Sequence, residues 1–215
     1  MNPFDIFDPK LALDPTAFTG EAGVARLLAA AGHFPGGAVG LVFALFWAPV
    51  GPGIPAGVLL ARHIPLPPVV TFGLYAITDL FAAAICHPIF LALRRHGRRI
   101  PRLHAVGRKV LGFAMMGVPK TSSTGDGRLA PVLFRIATVG FGIDIYTGGI
   151  LATGLPHAKL AGWGAALTGD LIWFALLLGS SIAAASIIDD DRFVGLVVLV
   201  AMIVIPGLGQ RFFRE

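Results

Sequence analysis

The chain has 215 residues, of which 55% are hydrophobic and only 13% charged, about half the charged share of an ordinary soluble domain. That balance argues against a water-soluble globule. The formal charge of +5 does not point to nucleic acid. Seven of the seventeen Lys and Arg crowd between Arg94 and Lys109, directly after an apolar run, with no nucleic-acid motif beside them.

In chain order, residues 1–36 mix acids, Phe and Pro, and Phe18–Phe34 reads as a helix lying in the membrane interface. The first 25 residues carry four acids and one Lys, unlike a signal peptide with its basic start, so the N-terminus is expected to be retained. Gly37 to Ala61 follows, 25 residues without a charge, interrupted by Pro49, Pro52 and Pro55. Three prolines with neighbouring glycines oppose a continuous helix. Two half-helices meeting at a turn within the membrane are expected, with Gly51, Pro52 and Gly53 at the turn, a backbone tolerated only where other protein covers it.

Leu66–Leu93 is 28 residues with Asp79 as its only formal charge, long enough to cross a hydrocarbon core of about 30 Å. It enters the basic segment 94–128, read as a cytoplasmic loop and polar linker ending in Lys120–Gly127, with Val110–Val118 too short to span. Leu129–Thr153 is apolar but holds Arg135, Asp144 and a cluster of glycines that includes Gly142, so it reads as a second broken segment. A second long helix is expected over 158–188, with Asp170 near its middle. The acidic tip Asp189–Asp191 then precedes a last crossing, 193–209, and a tail with Arg211 and Arg214.

Laid over each other at an offset of 91, residues 51–81 and 142–172 share nine identities in 31 positions, among them Gly51/Gly142, Gly57/Gly148, Gly73/Gly164 and Asp79/Asp170. Roughly three are expected by chance from average usage adjusted for so much Gly, Ala and Leu. The positive-inside bias puts 94–109 and the tail in the cytoplasm and the Asp189–Asp191 tip outside. The two long helices then run in opposite directions. The expected fold is an all-α polytopic membrane protein built as an inverted repeat, 37–93 and 129–188, plus a C-terminal crossing within 193–215. That architecture commonly builds transporters with a site near the midplane.

Asp79 and Asp170, about a dozen residues into their runs, would lie mid-bilayer, where a carboxylate costs about 2.5–3.5 kcal/mol on insertion scales. They read either as groups that take up and release protons during transport or as hydrogen-bonded helix fasteners, with Thr78 and Thr168 as local partners. Asp144 joins Asp79 and Asp170 as a candidate transport or coupling group; with Arg135 it reads as an internal salt bridge, or Arg135 as the receiver of an anionic group such as a lipid phosphate. The two are compatible. His87, beside the lone cysteine Cys86 and before Pro88, lacks companions for haem or zinc and reads as a packing residue. Trp47, Trp163, Trp173, Tyr75 and Tyr146 read as interfacial anchors or core filling. No GxSxG, HExxH, Walker A or paired CxxC motif occurs, so no enzyme activity, metal or cofactor is expected.

The region 45–182 resembles the DedA (VTT, or SNARE-associated) family. The residues concerned are the proline/glycine turn Pro49–Gly53, the stretch Gly57–Ala61, Thr78-Asp79, and then Arg135, Gly148-Gly149, Gly169 and Trp173. The chain departs from the family where Ala48–Val50 replace an acidic residue, where the family's second arginine is missing near Phe141, and where Ile145 replaces a proline. The resemblance implies two facing re-entrant hairpins and movement of lipid carriers such as undecaprenyl phosphate, or proton-coupled export. The expectation is therefore a small transporter or lipid-carrier flippase of a bacterial inner membrane, with membrane lipids and a homodimer or larger membrane complex as partners. The alternative is a non-catalytic accessory or assembly subunit packed against such a complex.

Overall fold

The computed structural model describes residues 20–47, 53–96, 129–142, 144–154 and 159–187, with positions 200 and 204. Among them every regular element is an α-helix: α1 (Gly20–His33), α2 (Gly37–Trp47), α3 (Gly53–His63), α4 (Pro68–His96), α5 (Leu129–Gly142), α6 (Ile145–Thr153) and α7 (Lys159–Ile187). The turn residues Gly51 and Pro52, the segment 97–128, the Asp189–Asp191 tip, the C-terminal tail and almost all of the last apolar run lie outside the described residues.

The expected breaks are where the residues demand them. The chain is helical up to Trp47 and again from Gly53. Pro55 falls in the first turn of α3, where its missing N–H would have no intrahelical partner anyway. Pro68 opens α4, a position its fixed φ suits. Pro88 lies inside α4, where it removes one backbone bond. Between α1 and α2 the axis bends by 112°. Gly36 and Gly37 sit there at φ of 79° and 64°, which a side chain would resist. α4 is apolar and about 39 Å long over Pro68–Leu93, and α7 is about 43 Å. Among the described residues two helices are thus long and apolar enough to cross a membrane, three if the bent pair α1–α2 forms one span.

The described helices fall into two compact units. The first holds α1, α2, α3, residues 68–78 of α4 and 175–187 of α7. Here α2 and α3 pack together as a hairpin. The Phe46 ring covers Gly57 so closely that a Cβ there would come within 2.6 Å of it, and the same ring meets Tyr75 edge-on at 5.4 Å. α1 contacts both arms, and Val24, Leu27, Ala30 and Ala31 are its buried face. Between lipid chains apolar burial drives nothing, so close approach at small residues supplies the attraction.

The second unit holds residues 79–96 of α4, α5, α6 and 159–174 of α7. α5 and α6 form the second hairpin, turning between Gly142 and Ile145. Gly140 lies against the Ala166 backbone, Gly169 against the Ala137 carbonyl, and Gly149 under the Trp163 indole. Around these contacts Ile136, Ile145, Ala152, Trp163 and Ala166 form a buried cluster. The opposite faces of α4 and α7 carry large exposed apolar residues such as Leu80, Phe81, Ile89 and Ile172. A helix apolar on both faces is that of a membrane protein.

Candidate functional site: the facing aspartates of the long helices

Asp79 and Asp170 are brought together in the second unit. They are 5% and 3% exposed and lie close enough for the charge of one to act on the other. The threonines expected as partners do not serve them. Thr78 Oγ1 donates to the carbonyls of Leu74 and Tyr75 at 2.8 and 2.7 Å, and Thr168 Oγ1 donates to Gly164 at 2.8 Å. A helical Thr hydroxyl readily bonds back to its preceding turn, which leaves it unavailable to donate to a carboxyl. Asp79 Oδ2 has no hydrogen-bond partner, and neither has Trp173 Nε1, one turn beyond Asp170 on α7; both atoms are buried. Buried groups of this kind normally find a partner, in protein or water.

The contacts run in reverse order along the two helices. Asp79 of α4 meets Asp170 of α7, and about two turns further along α4, His87 and Phe90 meet Trp163, which comes earlier in α7. In this unit α4 and α7 are therefore antiparallel. Trp163 Nε1 donates to His87 Nδ1 at 2.8 Å, with Phe90 stacked on the indole at 6.2 Å. His87 is thus a packing residue that joins helices, as its isolation in sequence suggests. His87→Leu should cost about 1–3 kcal/mol by leaving the indole N–H without an acceptor. His87→Gln, which can keep an acceptor there, should lie closer to wild type in thermal unfolding of the detergent-solubilised protein.

Asp144 stands at the hairpin turn in extended conformation and caps α6: its Oδ1 accepts from Thr147 N at 2.5 Å. An aspartate is a favoured N-cap because its oxygen satisfies a free helix N–H. Its charge also acts on Asp79, and the phenol of Tyr146 lies in the electrostatic reach of Asp79, Asp144, Asp170 and Cys86. Arg135 is half-buried about two turns down α5 from that turn, on the opposite arm of the hairpin. Gly53 is the first residue of α3 and Gly142 the last of α5. Trp163, Trp173 and Tyr75 are buried core residues. Among the described residues no cluster of His, Cys, Asp and Glu could hold a metal ion.

The residues that sequence reasoning missed are Trp163 as partner of His87 and Tyr146 as neighbour of the carboxyls. Neither contact leaves a local signal, since 76 residues separate the first pair. The Asp144 cap did have one, an Asp directly before an apolar helix with Thr three residues on. No protein family, curated protein or solved structure matches the chain.

Proposed function

We propose that the chain is a small integral membrane transporter or lipid-carrier flippase, built from two inverted halves, with Asp79 and Asp170 as its coupling groups. The observation that carries this reading is the meeting of the two aspartates. They are each other's equivalents at the 91-residue offset, and they are also buried neighbours in one unit. When two antiparallel copies are related by a twofold axis, only a residue at the axis faces its own copy. The helix bounds support the same repeat: α4 and α7 both have 29 residues, and both ends are displaced by 91. Each compact unit holds one hairpin, the first part of one long helix and the last part of the other, the division an inverted pair of halves would give.

In this reading the hairpins are re-entrant, residues 94–109 and the C-terminus are cytoplasmic, and Arg135 receives an anionic head group. The resemblance to the DedA family supports a polyprenyl-phosphate carrier in a bacterial inner membrane as cargo. Purified protein reconstituted into liposomes should make a head-group-labelled polyprenyl phosphate accessible from both faces, well above empty vesicles. A rate equal to empty vesicles, with the protein recovered from cells only inside a larger assembly, would instead favour the accessory-subunit reading.

A further inference from the structure

We propose that the joint between His87 of α4 and Trp163 of α7 is a pH-operated latch, closed while the imidazole is neutral and released when it becomes charged. The inference goes beyond the transporter reading and stands whether or not the chain moves lipid. Trp163 is 6% exposed and is gripped at both ends within the second unit. Its pyrrole N–H donates to His87 Nδ1 at 2.8 Å, its benzo edge lies against Gly149 of α6, where an added Cβ would overlap it, and Phe90 is stacked on it, nearly parallel at 11°. One indole therefore ties α4, α6 and α7 together. Only its polar end can be undone without repacking apolar groups.

The direction of the bond fixes the state of the histidine. An indole N–H can only donate, and an imidazole nitrogen accepts only while it carries no hydrogen. The ring in this joint is therefore neutral, with its hydrogen on Nε2. Protonation places a hydrogen on Nδ1 as well, so two donors face each other and the bond is lost. A cation–π contact does not replace it, because that needs the cation over the ring face, whereas the imidazole meets the indole edge-on at 78°.

The surroundings do not hold a charged ring in place. Cys86 of α4 and Tyr146 of α6 are the titratable groups packed on the same cluster, and α5 brings the apolar Ile136. Asp144 is engaged by the α6 cap, while Asp79 and Asp170 lie two turns away along their helices. On α7 the cation on the Trp163 side is Lys159, one turn earlier, a like charge that favours separation. A charge without a counter-ion is costly at membrane depth. His87 is half-buried and about two turns from Arg94, where the basic segment opens, so the charged ring turns towards water and takes that end of α4 away from α7.

Nitrogen-15 NMR of the full chain in lipid nanodiscs, with tryptophan labelled, reads the bond directly. The sequence has three tryptophans, and Trp163→Phe identifies the signal of Trp163. Between about pH 8 and about pH 5, the range in which imidazole ordinarily changes charge, the indole proton should move upfield in the wild type and stay in place in His87→Gln, which keeps an acceptor. At the acidic end its exchange with water should be about tenfold faster in the wild type than in His87→Gln, the ratio for loss of an ordinary hydrogen bond. His87→Leu should show the released signal at both ends of the range. Spin labels at Leu93→Cys and Leu160→Cys, exposed positions of the second unit, in a Cys86→Ala background should report a longer distance on acidification with His87 present and an unchanged one with His87→Gln. An indole signal that ignores pH in the wild type, the same pH response in His87→Leu, or a broken bond with an unchanged spin-label distance would overturn the proposal.

Discussion

Replacing both Asp79 and Asp170 with Asn is expected to bring turnover in proteoliposomes down to the level of empty vesicles while the helices stay folded. Both side chains are buried close to each other, so the variant must pair its polar atoms or leave them unsatisfied. Asn can pair them, since one amide can donate to the carbonyl oxygen of the other, and it removes any charge. Unpaired buried groups cost about 1–3 kcal/mol each, a penalty the Asn pair avoids. Thermal unfolding should therefore remain close to wild type. Asn cannot release a proton, so a cycle that depends on protonation and deprotonation of the pair stops. Full turnover in the double variant would reduce the aspartates to helix fasteners.

Gly169→Ala should be the most destabilising of the single glycine-to-alanine changes in the second unit. A Cβ at position 169 would overlap the Ala137 carbonyl of α5 and crowd the Phe141 amide. These are backbone atoms, so relief requires α5 and α7 to move apart rather than a side chain to turn. Overpacking of this kind costs about 1–3 kcal/mol. It would also spread the contact at Gly140 against Ala166. The control lies five residues away. Gly164, like its equivalent Gly73, has nothing within 4 Å of the added Cβ, and Gly164→Ala should leave stability unchanged or raise it by up to about 1 kcal/mol through helix propensity. Melting temperatures of the two variants in one detergent separate the packing effect from the propensity effect.

The long helices were readable because an apolar run has only one way to satisfy its backbone in lipid, and both runs lack an internal break strong enough to stop a helix. The hairpins were readable from the prolines around position 52 and the glycines around 142. The equivalence of Asp79 and Asp170 was also on the surface of the sequence, in a rare residue repeated at a fixed offset. Their direct contact was not, because an offset says which residues correspond and not which ones touch. Thr78 and Thr168 were assigned to the carboxyls by adjacency alone, whereas a Thr hydroxyl in a helix has a backbone carbonyl already within reach. The same limit applies to Trp163 and His87, whose meeting follows from antiparallel packing of α4 and α7. The change of element between α1 and α2 is legible in the switch from an interfacial stretch ending at Phe34 to an uncharged run beginning at Gly37, whereas the angle is not, because it follows from the positive φ of Gly36 and Gly37.

The inversion of the two halves can be measured at a pair of equivalent positions. Val69 and Leu160, related by the offset of 91, are the second residues of α4 and α7 and are 82% and 83% exposed. In a Cys86→Ala background, Val69→Cys and Leu160→Cys are treated separately with a membrane-impermeant maleimide on sealed cells, and again after permeabilisation. Inverted halves require Val69→Cys to react from outside and Leu160→Cys to react only once the membrane is opened. Reaction of both from the same side would contradict the inverted repeat and, with it, the placing of the two aspartates on a common axis.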